Sequence, residues 1–156
     1  MAATGPRRQR QTGQFDVPLP AGEAFKLFTA EGERLWVPGW SPEILGALPQ
    51  APGLVFLTGE GAERTIWTVI ESDSVRGLVR YSRVTPGSRA GLVEVRVTGE
   101  GDRSRVEVTY DLTALSPEGD EALEAYSAPR FVEMLAAWET LIAAFLDSDG
   151  ARERFA

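Results

Sequence analysis

Between residues 91 and 114, apolar and polar side chains alternate with a period of two on either side of a Gly101-Asp102 turn. Val93, Val95 and Val97 are separated by Glu94 and Arg96; Val106, Val108, Tyr110 and Leu112 are separated by Glu107, Thr109 and Asp111. A period of two describes a strand with one apolar and one wet face. A Gly-containing turn between two such runs makes them a hairpin. Centring that hairpin on Gly101-Asp102 pairs Val97 with Val106, Val95 with Val108 and Val93 with Tyr110. A one-residue slip would bury the charges, so the pattern admits few alternatives.

The same grammar extends upstream. Strands are expected at 54–59, 64–72 and 77–85, separated by turn chemistry at 60–63, 73–74 and 86–88. Centring on Gly87 pairs Tyr81 with Val93 and Val79 with Val95. Centring on Asp73-Ser74, with Val75 absorbed in the turn, pairs Trp67 with Tyr81 and Val69 with Val79. One more step sets Phe56 opposite Trp67. These residues share one face, on which Glu71 and Arg83 are the only charges. On the other face Arg80 meets Glu94 and Arg96 meets Glu107, as a solvated face requires.

An apolar sheet face needs cover. Phe131, Leu135, Trp138, Ile142 and Phe145 recur at helical spacing within 129–147, and Met134 and Leu141 widen the stripe. Ser127 is placed to cap this helix and Pro129 suits its first turn. Nineteen residues span roughly 28 Å, the length of a strand of about nine residues. The helix can therefore lie across the whole sheet, giving an α+β layer.

The rest of the chain is read around that frame. Residues 1–12 read as a tail and 14–17 as a short strand. Residues 21–30 are helical, with a second short turn at 31–36. Trp36-Val37-Pro38-Gly39-Trp40 is a loop with a heavy apolar load, 43–53 carries no assignable element, 116–127 is an acidic connector, and 148–156 is a frayed end.

Of 156 residues none is cysteine or histidine. That removes thiolate chemistry, the commonest metal ligand and the commonest general base near neutral pH. No Ser/His/Asp or Cys/His arrangement is possible, and no metal or cofactor is expected. The net charge is −7 even with Arg7, Arg8 and Arg10 at the start, which argues against nucleic acid as a partner. No apolar run reaches the length of a membrane span, so stable membrane insertion is not expected. The arginines at the start have no apolar run behind them, and a cytoplasmic location is expected. Oligomeric state is left open by the sequence.

Val17-Pro18-Leu19-Pro20-Ala21-Gly22-Glu23-Ala24-Phe25-Lys26-Leu27-Phe28, followed by Leu35-Trp36-Val37-Pro38-Gly39-Trp40, resembles the opening of the START-like or SRPBCC superfamily. The resemblance covers about 13–147, which would form one domain. It implies the helix-grip fold: a curved antiparallel sheet of six or seven strands wrapped on a long C-terminal helix, with two short helices after the first strand. It also implies a cavity between sheet and helix for an apolar small molecule, lipid-like or aromatic. No catalytic residue carries over from the superfamily.

The expected lining is Trp36, Trp40, Phe56, Trp67, Tyr81, Val95, Val108, Tyr110, Phe131, Leu135, Trp138 and Ile142, with Glu71 and Arg83 as a polar rim. Each large ring has a second reading as plain core, and Glu71 with Arg83 as a rim salt bridge. Two other functions stay open. One is a polyketide cyclase- or aromatase-like enzyme using Tyr81, Tyr110, Glu71 and Arg83. The other is a surface-interaction module, of chaperone-activator or toxin type, with a filled interior.

Overall fold

The computed structural model describes residues 7–46, 49–148 and 151. Strand β1 (Arg8–Val17) is followed by helix α1 (Ala21–Lys26) and a 3-10 turn, Gly32–Leu35. Then come β2 (Glu43–Leu45), β3 (Val55–Thr58), a 3-10 turn at Gly61–Glu63, β4 (Thr65–Asp73), β5 (Leu78–Thr85), β6 (Arg89–Glu100) and β7 (Arg103–Ala114). Helix α2 (Pro117–Ala122) and a 3-10 turn (Leu123–Tyr126) lead into the long helix α3 (Ala128–Leu146). The strands form one curved antiparallel sheet in the order β1-β7-β6-β5-β4-β3-β2. The α+β helix-grip architecture expected from the sequence is the one observed.

The pairings of Val97 with Val106, Val95 with Val108, Val93 with Tyr110, Tyr81 with Val93, Val79 with Val95 and Phe56 with Trp67 are all present. So are the outer-face pairings of Arg80 with Glu94, joined at 3.4 Å, and Arg96 with Glu107. Val106, Val108 and Leu112 are fully buried. Each such side chain contributes about 1.5–3 kcal/mol.

The β4–β5 hairpin differs. Val69 faces Tyr81 and Trp67 faces Arg83, a shift of two residues that keeps both on the inner face. A bulge at Ile70 then inserts one residue into β4, so the alternation flips and Glu71 faces Arg80 on the outer face. Glu71 lies 3.7 Å from Arg76 and 3.9 Å from Arg80, among the solvated charges. It is therefore not part of an inner polar rim. Arg83, on the unbulged strand, remains inside and is 7% exposed.

Three further differences concern ends. β1 starts at Arg8, so residues 8–12, read as tail, run in the sheet against β7. Their polar side chains gave no strand signal, but Arg8 reaches Asp111 with two hydrogen bonds of 2.8 and 2.6 Å. The rest of that tail, residues 1–6, lies outside the described residues, as do 149–150 and 152–156 of the C-terminal end. Residues 43–45 form the short edge strand β2. Ser127 occupies the cap position of α3 without a side-chain cap bond, whereas Ser116 caps α2 by accepting from the Gly119 N–H at 3.0 Å.

Helix α3 packs chiefly against β1, with Phe131, Leu135 and Ile142 buried. The approach is close at Gly13, where an added Cβ would lie 2.5 Å from Leu135 Cδ1. No described helix is long and apolar enough to cross a membrane.

Candidate functional site

The inner face of the sheet is built in cross-strand rows. One row runs Val69, Tyr81, Val93, Tyr110, Gln11; the next runs Trp67, Arg83, Gly91, Leu112, Gln9. The aromatic members of these rows meet rings from the opposite side. Tyr110 lies 5.6 Å from Phe131 and 6.3 Å from Trp138 of α3, centre to centre. Trp138 also meets Trp36 at 5.5 Å and Phe15 at 6.5 Å. The two walls therefore touch at the middle of α3. Over β3 and β4 the cover is Trp40, 6.1 Å from Phe56 and 5.9 Å from Trp67.

All twelve residues expected to line a cavity belong to, or pack against, this interior: Trp36, Trp40, Phe56, Trp67, Tyr81, Val95, Val108, Tyr110, Phe131, Leu135, Trp138 and Ile142. Three tryptophan N–H groups are committed locally. Trp36 donates to the Leu27 carbonyl, Trp40 to the Ala30 carbonyl and Trp67 to the Thr58 hydroxyl, each at 2.8 Å. The first two bonds tie the Trp36–Trp40 loop to the segment after α1, and the third ties β4 to the end of β3. A groove of about 400 Å³ runs between β1 and α3, with Phe15, Phe131 and Leu135 as its apolar wall and Gln11, Gln14 and Glu139 among its polar residues. A depression of about 410 Å³ beside α1 is lined mainly by Glu23, Lys26, Glu31 and Arg34 and contains none of the inward rings.

Two of the polar clusters set into this interior involve its aromatic rings. The first is Tyr81, whose hydroxyl donates to the Phe28 carbonyl at 2.7 Å and accepts from Gln50 Nε2 at 3.0 Å. Gln50 Oε1 in turn accepts from the Ala30 N–H at 3.3 Å. Burial, with the nearby Glu33 charge, raises the Tyr81 pKa. Burial likewise raises that of Tyr110, against the opposing charge of Arg83. Tyr81→Phe strands the Gln50 donor and the Phe28 carbonyl, and is expected to lower stability by about 1–3 kcal/mol. The check is a lower urea midpoint at unchanged slope.

Glu33 itself comes from the 3-10 turn behind α1. The residue keeps some accessible surface, yet its carboxyl is desolvated enough for burial to push its pKa up to about 8. Glu33 is thus protonated at neutral pH, and its charge, when present, acts on both tyrosines.

The second place is the far end of the sheet, around Tyr126. Arg83 Cζ lies 4.9 Å from the Trp67 ring centre and 5.9 Å from that of Tyr126. Arg89 Cζ lies 5.8 Å from the same Tyr126 ring. Arg89 Nη2 reaches Glu63 Oε1 at 2.9 Å, which lowers the Glu63 pKa. Tyr126 stacks on Tyr110 at 5.5 Å.

Glu33, Gln50, Arg89 and Tyr126 were not singled out from the sequence. All four sit on turns or at a strand end, where no periodicity tells inside from outside. Only Arg89 carried a signal: it lies two residues before Gly91, on the parity of Val93.

No family model matches the chain, and no curated protein matches it. Solved structures do. Truncated norcoclaurine synthase from Thalictrum flavum superposes with a TM-score of 0.65 at 15% identity, covering 95% of this chain and 99% of that one. A Thermobifida fusca protein solved by NMR gives 0.65 at 20% identity, covering 88% and 93%. Ginseng major latex-like protein 151 from Panax ginseng gives 0.65 at 13% identity, covering 88% and 96%. The likeness spans nearly the full length of each, and the chain shares their helix-grip fold.

Proposed function

We propose that the protein binds an apolar small molecule, ring-containing or lipid-like, between the sheet and α3. The observation that carries this reading is the groove of about 400 Å³ walled by Phe15, Phe131 and Leu135. Its size falls within the range of small-molecule sites. Phe131, on its wall, packs 5.6 Å from the Tyr110 ring and links the groove to the aromatic interior. A structure of the Thalictrum flavum synthase was obtained with dopamine and hydroxybenzaldehyde, two small aromatics, and supports the reading by analogy of fold.

Titration with the uncharged probes N-phenyl-1-naphthylamine and decanol tests it. The expected result is a rise in probe fluorescence, quenching of tryptophan emission and an upward shift in melting temperature. Absence of all three with both probes overturns the reading and favours an interaction module with a filled interior.

A second reading, proton transfer on a bound polyketide-like ligand, is favoured by Glu33. A carboxyl with a pKa of about 8 exchanges its proton near neutral pH, as a general acid or base must. Glu71, the acid first assigned to that chemistry, lies on the outer face. Cyclisation of a linear poly-β-keto thioester, lost in Glu33→Gln while probe binding is kept, is the expected signature. No cyclisation by the unaltered chain ends it.

A further inference from the structure

Arg83 is 93% buried on an inner row, yet among the described residues no carboxylate forms an ion pair with it. Its Nη1 reaches the Tyr126 hydroxyl at 3.5 Å, its guanidinium also acts on the Tyr110 hydroxyl as a hydrogen-bond donor, and its Nε is buried without a hydrogen-bond partner. Glu63 feels its charge but is committed to Arg89. Glu33 is neutral near pH 7, and burial alone raises its pKa, with no cation drawing it down.

A guanidinium buried beside tryptophan and tyrosine gains from their ring faces. That does not satisfy its edge donors, and a buried charge with unmet donors is costly. The next position in its row is Gly91, which contributes no side chain to cover it. The missing partner is thus a planar acceptor that meets Nε–H and a terminal N–H together, which is how a carboxylate binds arginine.

We propose that Arg83 is the docking point for the carboxylate of an amphipathic organic acid whose apolar body lies among Trp67, Tyr110 and Phe131. This rests on the small-molecule reading above and narrows it to anionic ligands. Arg89, already paired with Glu63, adds positive field from the other side of Tyr126.

The test compares matched pairs on the full chain at pH 7 by calorimetry and tryptophan fluorescence: decanoate against decanol, and 2-naphthoate against 2-naphthol. Each acid is expected to bind at least about tenfold tighter than its alcohol. In Arg83→Met the acid should fall to the affinity of the alcohol, while the alcohol is unchanged. Arg83→Lys keeps a charge but not the fork, and its preference should shrink to about threefold. Melting curves identify a variant that fails to fold, in which case the other variant decides. Equal binding of acid and alcohol to the unaltered chain overturns the anion site and leaves apolar binding standing. A preference unchanged in both variants moves the site away from Arg83 and also overturns it. Binding of none of the four overturns both readings together.

Discussion

Glu33→Gln is expected to melt at the same temperature as the parent near pH 4 and several degrees higher at pH 8.5. The sign follows from proton counting. The Glu33 pKa is about 8 in the folded protein against an ordinary value of 4.5. Between those two values the folded chain holds a proton that the unfolded chain has released, so stability falls as pH rises. Below pH 4.5 both states are protonated and Glu33 costs nothing extra. Above pH 8 both have lost the proton, and the fold carries a desolvated carboxylate with its full penalty, on the order of a few kcal/mol. Glutamine removes the titration but keeps a polar head of similar size. Thermal unfolding from pH 4 to 9 checks this. A difference between variant and parent that does not grow with pH would mean that the carboxyl is solvated.

Trp138→Ala is expected to cost about 3–5 kcal/mol, read from urea unfolding. Trp138 is the ring through which α3 meets Phe15, Trp36 and Tyr110, all within 6.5 Å. Removing it withdraws a large contact area between the walls at mid-helix. Among the surrounding rings Trp36 is held by its hydrogen bond to the Leu27 carbonyl, so the gap closes only in part. The variant is therefore expected to bind N-phenyl-1-naphthylamine at least as tightly as the parent, despite its lower stability. Weaker binding would mean that Trp138 is a ligand contact and not a plug.

Much of the architecture was legible because two physical signals coincided. From β5 to β7, glycine-bearing turns set the hairpin centres and strict alternation set the faces, so Val93, Val95, Val108 and Tyr110 fell into register without reference to anything distant. The stripe on α3 was legible for the same reason: Phe131, Leu135 and Ile142 repeat at the helical period over about three turns. The β4–β5 hairpin broke that logic. Its turn, Asp73 to Gly77, leaves more than one centre, and the bulge at Ile70 is a backbone event with no compositional mark. That single residue decides that Glu71 faces solvent while Arg83 does not. The first half of β1 was hidden for the opposite reason: Arg8 to Thr12 pair through backbone and surface charge, which periodicity does not register.

The sequence by itself determined that an apolar sheet face and an apolar helix stripe of equal length must meet, because neither can stay in water. It also determined that whatever chemistry occurs here proceeds without histidine or cysteine. Only the tertiary structure decided how completely the two surfaces close. Trp138 brings them together at mid-helix, Gly13 lets Leu135 reach the strand, and the groove beside Phe131 is left open. The polar groups inside, Glu33 on a 3-10 turn and Arg83 and Arg89 flanking Tyr126, were likewise placed by packing between elements far apart in the chain. Burial, counter-charge and pKa arise from that three-dimensional neighbourhood, and a local pattern of residue types does not encode them.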